Sequence, residues 1–349
     1  MSENEDEISR HYKVVNPPHV HLGFDKNELM LKTFLLMSMI AFASVMVMGV
    51  PALFHILIAL GVVLVVHGTI DSYQKWKETK PTYDSPTSPL VAGMIVGLCM
   101  PIAAPYLATA AVAFLTMFVF KYVQGKYFDH KYLNPAATSK SILFLTLAFV
   151  FRAVDPDIAA RIYHPHHQEL RLLSTEGFND AMWIFRGKTI PLVGEEVSAT
   201  QGLFFWQTHG WIGGASGVVV LIVGIIAVYW LRYKWRIVLS TLGTMTILAV
   251  GTGLYLGGDP LLRVAFHVFT GSVIFMAFFM ATEPQSTPMT EGPQYIFGIS
   301  LAVLTFVFQL YNIVGGSLYA LVIMNMVTPL LDRIVIKKPY GHKKSHGGA

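Results

Sequence analysis

The chain has 349 residues, 54% hydrophobic and 13% charged, about half the roughly 25% charge of a soluble domain. Lipid in place of water over much of the surface accounts for this, and the small net charge of +4, sided as counted below, speaks for membrane orientation and against nucleic acid. Cys99 is the only cysteine, which excludes disulfides and Cys-ligated clusters within the chain.

A hydrocarbon core about 30 Å thick is crossed by roughly 20 apolar helical residues. The tail 1–32 is polar and lacks the pattern of a cleaved signal, so it is expected to stay. Ten spans follow: 33–50, 51–70, 89–104, 106–122 and 136–152, then 211–231, 236–256, 262–281, 295–313 and 316–335. The third span is short and carries Gly93, Gly97 and Pro101, which reads either as a broken helix at a pore or pocket or as kinks tolerated by close packing. The expected class is therefore an all-α polytopic membrane protein. Five spans (33–152) and five spans (211–335) flank a long segment, 153–210, and a basic tail closes the chain at 336–349.

With the N-terminus in the cytoplasm, 19 of the 25 Lys and Arg fall on the inner side. The six on the outer side are Arg152, Arg161, Arg171, Arg186, Lys188 and Arg263. The excess of Lys and Arg in cytoplasmic loops prefers this arrangement, with both termini inside and 153–210 outside. Halves with an odd number of spans enter the membrane upside down to one another, and inverted repeats place binding sites near the midplane between them.

Within the outer segment, GEEVSATQGLFF (194–205) sets small residues and the Thr200 hydroxyl before an apolar region. Ordinary loop chemistry and an attachment point are both open readings of Thr200. Phe204, Phe205, Trp206 and Trp211 form either a stacking surface for a flat ligand or an interfacial aromatic belt. Gly213 and Gly214 permit close backbone approach, to a cofactor or to a neighbouring helix. His67 with Asp71, His267 and Glu283 are intramembrane or near-membrane ionisable groups, which marks them as candidates for an ion or proton path. For the histidines a hydrogen bond to a backbone carbonyl in the bundle is the alternative, and for Glu283 a helix-connecting turn. His164, His166 and His167 lack the spacing of a metal site and read as a solvated loop. No metal site is expected.

The stretches SPLVAGMIVGLCMPIAAP, KYVQGKYFDHKYLNPAA, HGWIGGASGVVVLIVGIIAVYWLRYKWRI and FHVFTGSVIFMAFFMATEPQSTPMTEGPQYIFGI occur in this order, with ALVIMNMVTPLLDRI after them. Together they resemble the RnfD/NqrB family from about residue 85 to 335. Asn134-Pro135-Ala136, MATEP at 280–284 and the MN…TPLLD run at 324–332 are the sharpest pieces. The resemblance implies an inner-membrane subunit of an ion-translocating electron-transport complex. Partner redox subunits would supply what this chain lacks. It also implies FMN joined through a phosphoester to an extracytoplasmic Thr by a flavin transferase. The family's acceptor motif is similar to Asp-x-x-Ser/Thr-Gly-Ala-Thr, and here Ser198, Ala199 and Thr200 stand at its end. Gly194, Val197 and Ser198 replace its Asp, Ser/Thr and Gly. These departures keep two other readings open: a non-flavinylated scaffold of another electron-transfer complex, and a solute channel similar to urea transporters. Whether a second flavin or a quinone binds is not legible.

Overall fold

A computed structural model describes residues 26–78, 87–127, 133–154, 172, 175–183, 198–208, 210–231, 233–257, 259–311 and 315–334. The expectations for 1–25, for the histidines at 164–167, for 194–197 and for 336–349 lie outside the described residues.

The described residues are almost entirely helical. The elements are α1 (Lys26–Met48), α2 (Val50–Trp76), α3 (Ser88–Cys99), α4 (Tyr106–Tyr127, π-helical from Leu115 to Val123) and α5 (Pro135–Val154). Two short helices follow, α6 (Thr175–Trp183) and α7 (Ala199–Phe205). Then come α8 (Gly217–Leu231), α9 (Trp235–Leu256), α10 (Pro260–Phe269), α11 (Val273–Met280), α12 (Glu291–Leu310) and α13 (Gly316–Ile334). Among the described residues α1, α2, α4, α9 and α12 are each long and apolar enough to cross a membrane, and α10 with α11 makes a sixth span, bent by 61°. Their outward side chains are apolar, with Phe42, Val65, Leu107, Ile247 and Leu254 exposed. Water would not tolerate so continuous an apolar surface, and lipid does.

Several boundaries differ from the sequence expectation, each for a physical reason. α1 begins seven residues earlier, because Lys32 pairs with Glu28 at 2.6 Å across one helical turn. α2 runs on to Trp76, and a similar pair, Lys75 with Asp71 at 2.7 Å, lies in its last turns. Gly93 and Gly97 do not break α3. A Cβ on Gly93 would stand 3.0 Å from Leu60 Cα, and one on Gly97 2.9 Å from Ile56 Cα. They are the small faces through which α3 lies against α2. The break comes after Cys99, at Met100–Pro105. The eighth span is not continuous either: it stops at Thr270, Gly271 and Ser272, with Gly271 at φ +69.

Among the described residues three interruptions stand at 100–105, 210–216 and 270–272, and they meet. The Ile212 N–H donates to the Met100 carbonyl (3.0 Å) and the Ile102 N–H to the Gly210 carbonyl (2.9 Å), which sets Pro101 opposite Trp211 as an antiparallel bridge. A Cβ on Gly214 would lie 2.5 Å from the Gly271 carbonyl oxygen, and one on Gly213 would lie 2.9 Å from that of Leu98. Away from water, each non-helical peptide group must find its partner inside the protein. The first two interruptions supply partners to one another.

Candidate functional site

The candidate attachment segment is built from a local signal. Ser198 caps α7: its hydroxyl accepts from the Gln201 N–H at 3.3 Å, while the Gln201 side chain accepts from the Ser198 N–H at 3.1 Å. This is a capping box, which satisfies two otherwise orphaned donors. Thr200 is thus the second residue of a short helix and not part of an open loop. Its side chain is exposed, and its Oγ1 is 3.2 Å from the Ser198 Oγ.

Below the exposed turn, α7 is anchored. Leu203 is fully buried among Phe178, Phe266 and Leu172, and Phe204 meets Phe269 edge to face at 4.7 Å. Gln207 donates to the Leu203 and Phe269 carbonyls at 2.6 and 2.8 Å. Phe204 is consequently a packing residue, while Phe205 leaves 53% of its surface free. A hydroxyl in solvent, a capped rigid turn and an uncommitted aromatic face therefore occupy one short element.

Trp211, Gly213 and Gly214 lie in the interruption before α8. All three are buried, against Leu98, Gly271 and the ammonium of Lys140, which sits 3.0 Å from the centre of the Trp211 ring. The close approach that the glycines permit is to protein backbone. Lys140 is a residue that sequence reasoning assigned only to the inner-side charge count. It is 2% exposed, and the signal available was a lysine inside an apolar span.

A second polar region forms around the turn at 281–290. The Asn134 side-chain amide donates to Glu283 Oε2 at 2.8 Å and to the Met280 carbonyl at 3.4 Å. Ser286 donates to the same carboxylate oxygen at 3.1 Å. With its amide nitrogen turned toward the Ser286 carbonyl, Asn325 donates there at 3.0 Å and accepts from the Asn134 N–H at 3.0 Å. Thr328 donates to the Ser286 carbonyl at 3.1 Å. Lys234, in the turn between α8 and α9, donates to the Thr287 hydroxyl (2.7 Å) and to the carbonyls of Thr287 and Pro288 (both 3.0 Å). Burial pulls the Lys234 ammonium down to about 8, against the opposing pull of the Asp332 and Glu283 carboxylates. Asn134, the MATEP run and the MN…TPLLD run, far apart in the chain, are thus one hydrogen-bonded knot.

The remaining ionisable candidates stand in separate surroundings. His67 is half-buried on α2, with Asp71, Lys75 and Lys121 as its charged neighbours. His267 is fully buried on α10. Its Nδ1 is 3.0 Å from Gln309 Oε1, the Gln309 amide donates back to the His267 carbonyl at 3.2 Å, and its ring lies on Phe306. Arg263, one turn earlier, is also fully buried, donating to the Gly257 and Leu172 carbonyls at 3.2 Å and lying over Phe178. Glu283 alone of the four candidates joins the knot.

The comparisons with known proteins agree with this pattern. Residues 13–341 match the model of the NQR2, RnfD, RnfE family. The chain is similar to a subunit of the proton-translocating ferredoxin:NAD(+) oxidoreductase complex of Clostridium ljungdahlii, at 24% identity over 95% of this chain and 97% of that one. It is also similar to the corresponding subunit of the Na(+)-translocating ferredoxin:NAD(+) oxidoreductase complex of Acetobacterium woodii, at 26% identity over 76% of each. A subunit of an ion-translocating oxidoreductase complex of Shewanella sediminis is 20% identical over 96% of this chain and 99% of its own. With nearly its whole length matched and the family's three sharpest motifs drawn into one buried knot, the chain belongs to the NQR2, RnfD, RnfE family.

Proposed function

We propose that this chain is the RnfD-like membrane subunit of an ion-translocating electron-transport complex of the ferredoxin:NAD(+) or NADH:quinone kind, in a prokaryotic inner membrane. It carries covalent FMN on Thr200 and relays electrons between partner subunits. The similarity to subunits of such complexes over nearly the whole chain supports the assembly. Ten crossings in two inverted halves are part of the same reading. Five helices, α1–α5, precede α6 and α7, and five follow when α10 and α11 count as one broken span. In this topology α7 faces the extracytoplasmic side and the 281–290 knot faces the cytoplasm.

The observation that carries the flavin is the Thr200 hydroxyl, exposed on a helix whose start is locked by a capping box. A transferase needs such an accessible oxygen, and an ordered turn fixes where the product hangs. The residues present fit the group. Thr200 Oγ1 would hold the phosphoester, the Ser198 hydroxyl lies beside it, and Phe205 offers the free apolar face for a flat ring. FMN, when bound, supplies a carrier that accepts electrons in pairs and passes them singly. The chain's own part is to tether, orient and keep the group at high local concentration beside the membrane.

Ultraviolet fluorescence of the denatured chain on a gel tests this, with the protein made in a host that has the flavin transferase. Wild type should glow and Thr200→Val should be dark. Fluorescence that persists in Thr200→Val moves the site elsewhere. A dark wild type favours the scaffold reading, which the residues Gly194, Val197 and Ser198, departing from the family's acceptor motif, already support.

A further inference from the structure

Lys140 has no place in the flavin reading, and its surroundings call for one. It lies in α5, 2% exposed. Its ammonium donates to the carbonyl of Cys99, one of the last carbonyls of α3, which a helix end leaves without an intrahelical partner. The Trp211 face lies on another side, and Phe144 is 5.5 Å away. No carboxylate among the described residues pairs with it. An ammonium has three donors, and among the described residues one carbonyl is engaged.

Beside this group is a small, partly open cavity of about 10 Å³, lined by Lys140, Ser141, Trp211, Gly315 and Tyr319 among others. The Ser141 hydroxyl, 5% exposed, has no hydrogen-bond partner. The cavity has about the room one water needs, and polar groups in the wall are what such a water bonds to. A helix C-terminus and an aromatic face are together what a monovalent cation asks for. In this protein a tethered ammonium fills that place. Its charge cannot diffuse away; it can leave only as a proton.

We propose that Lys140 is a proton-binding site at the crossing of the three chain interruptions, exchanging with water in the cavity. In the outward step an N–H bond of the ammonium breaks and its proton joins a cavity water. A neutral amine that still donates to the Cys99 carbonyl remains, and a hydronium ion departs. Reloading is the reverse. Among the described residues, the titratable groups facing Lys140 are the Cys99 thiol from α3 and the Tyr319 phenol from α13, and residues 210–216 bring none. Thiol and phenol are ordinarily neutral at pH 7, so among the described residues no fixed negative charge holds the ammonium in one state. The inference rests on α5 lying in the membrane and is independent of the flavin.

Trp211 is a built-in reporter, because an ammonium and a neutral amine differ in their effect on an indole face. Tryptophan emission of the purified complex, titrated from pH 6 to 10, should show a transition that is lost in Trp211→Phe and in Lys140→Met. Lys140→Arg keeps the charge but does not titrate in this range, so its trace should be flat. That variant carries the test if Lys140→Met fails to assemble. A wild-type trace that is flat from pH 6 to 10, or a transition retained in Lys140→Arg, overturns the proposal.

Discussion

The Thr200 turn and the Glu283 turn are written in the same alphabet of hydroxyls, amides and small residues, yet they do opposite things. Around Glu283 the polar groups are engaged by partners from elsewhere in the chain: Asn134 from the start of α5, Lys234 from the α8–α9 turn, Asn325 and Thr328 from α13. Around Thr200 the bonds are made within four residues, and the Thr hydroxyl itself remains in solvent. The first region uses its polarity to join helices, and several of its groups (Asn134, Ser286, Thr287, Asn325, Thr328) are buried, where an unpaired group is costly. The second keeps a group available. In a membrane protein, the same residue types divide into clamp and site according to who satisfies them.

The sharpest way to break this contrast is Asn134→Ala. It removes a hydrogen bond to a half-buried carboxylate and unpins the knot, and it should cost about 2–3 kcal/mol, the scale of a bond to a charged group plus an orphaned acceptor. Thermal unfolding of the purified complex measures it; an unchanged midpoint would show that the knot clamps nothing. Gly214→Ala should cost about 1–3 kcal/mol, because its Cβ would stand 2.5 Å from the Gly271 carbonyl oxygen and push the interruptions apart. Ser198→Ala should act locally, loosening α7 by about 1 kcal/mol. Hydrogen exchange in 199–205 should speed up and flavin yield should fall, with global melting unchanged.

A further effect concerns pH. The folded Lys234 titrates near 8 and the unfolded side chain near its ordinary value of about 10.4. Between the two, the unfolded chain binds more protons, so wild-type stability gains with rising pH across that window. Below about 8 the cost of the buried charge is constant. The melting difference between wild type and Lys234→Met should therefore shift in favour of wild type from pH 8 to 10. A difference that stays flat would remove Lys234 from the account.

Much of the fold was legible because crossing a membrane demands long apolar stretches, and α1, α2, α9 and α12 declare themselves in that way. What hydropathy could not show was where short polar interruptions fall. Thr270, Gly271 and Ser272 sit inside an otherwise apolar window, and averaging hides them, so the bent span reads as straight. Gly93 and Gly97 have the opposite fault: they look like breakers, but α2 lies close enough to need their missing side chains. At the candidate site, the spacing Ser198-x-x-Gln201 was present as a capping signal, and it places Thr200 on a helix. The role of Trp211 was not readable, since its partners Lys140, Gly271 and Gly315 come from three distant parts of the chain. Nor could any local pattern announce that Asn134, Glu283 and Asn325 meet.

The most direct test of the central claim is mass spectrometry of the chain purified from a host with the flavin transferase, intact and then as peptides. The account predicts a mass increase of one FMN less one water, located on Thr200 and absent from Thr200→Val. An unmodified Thr200, or the same mass on another residue, would contradict it.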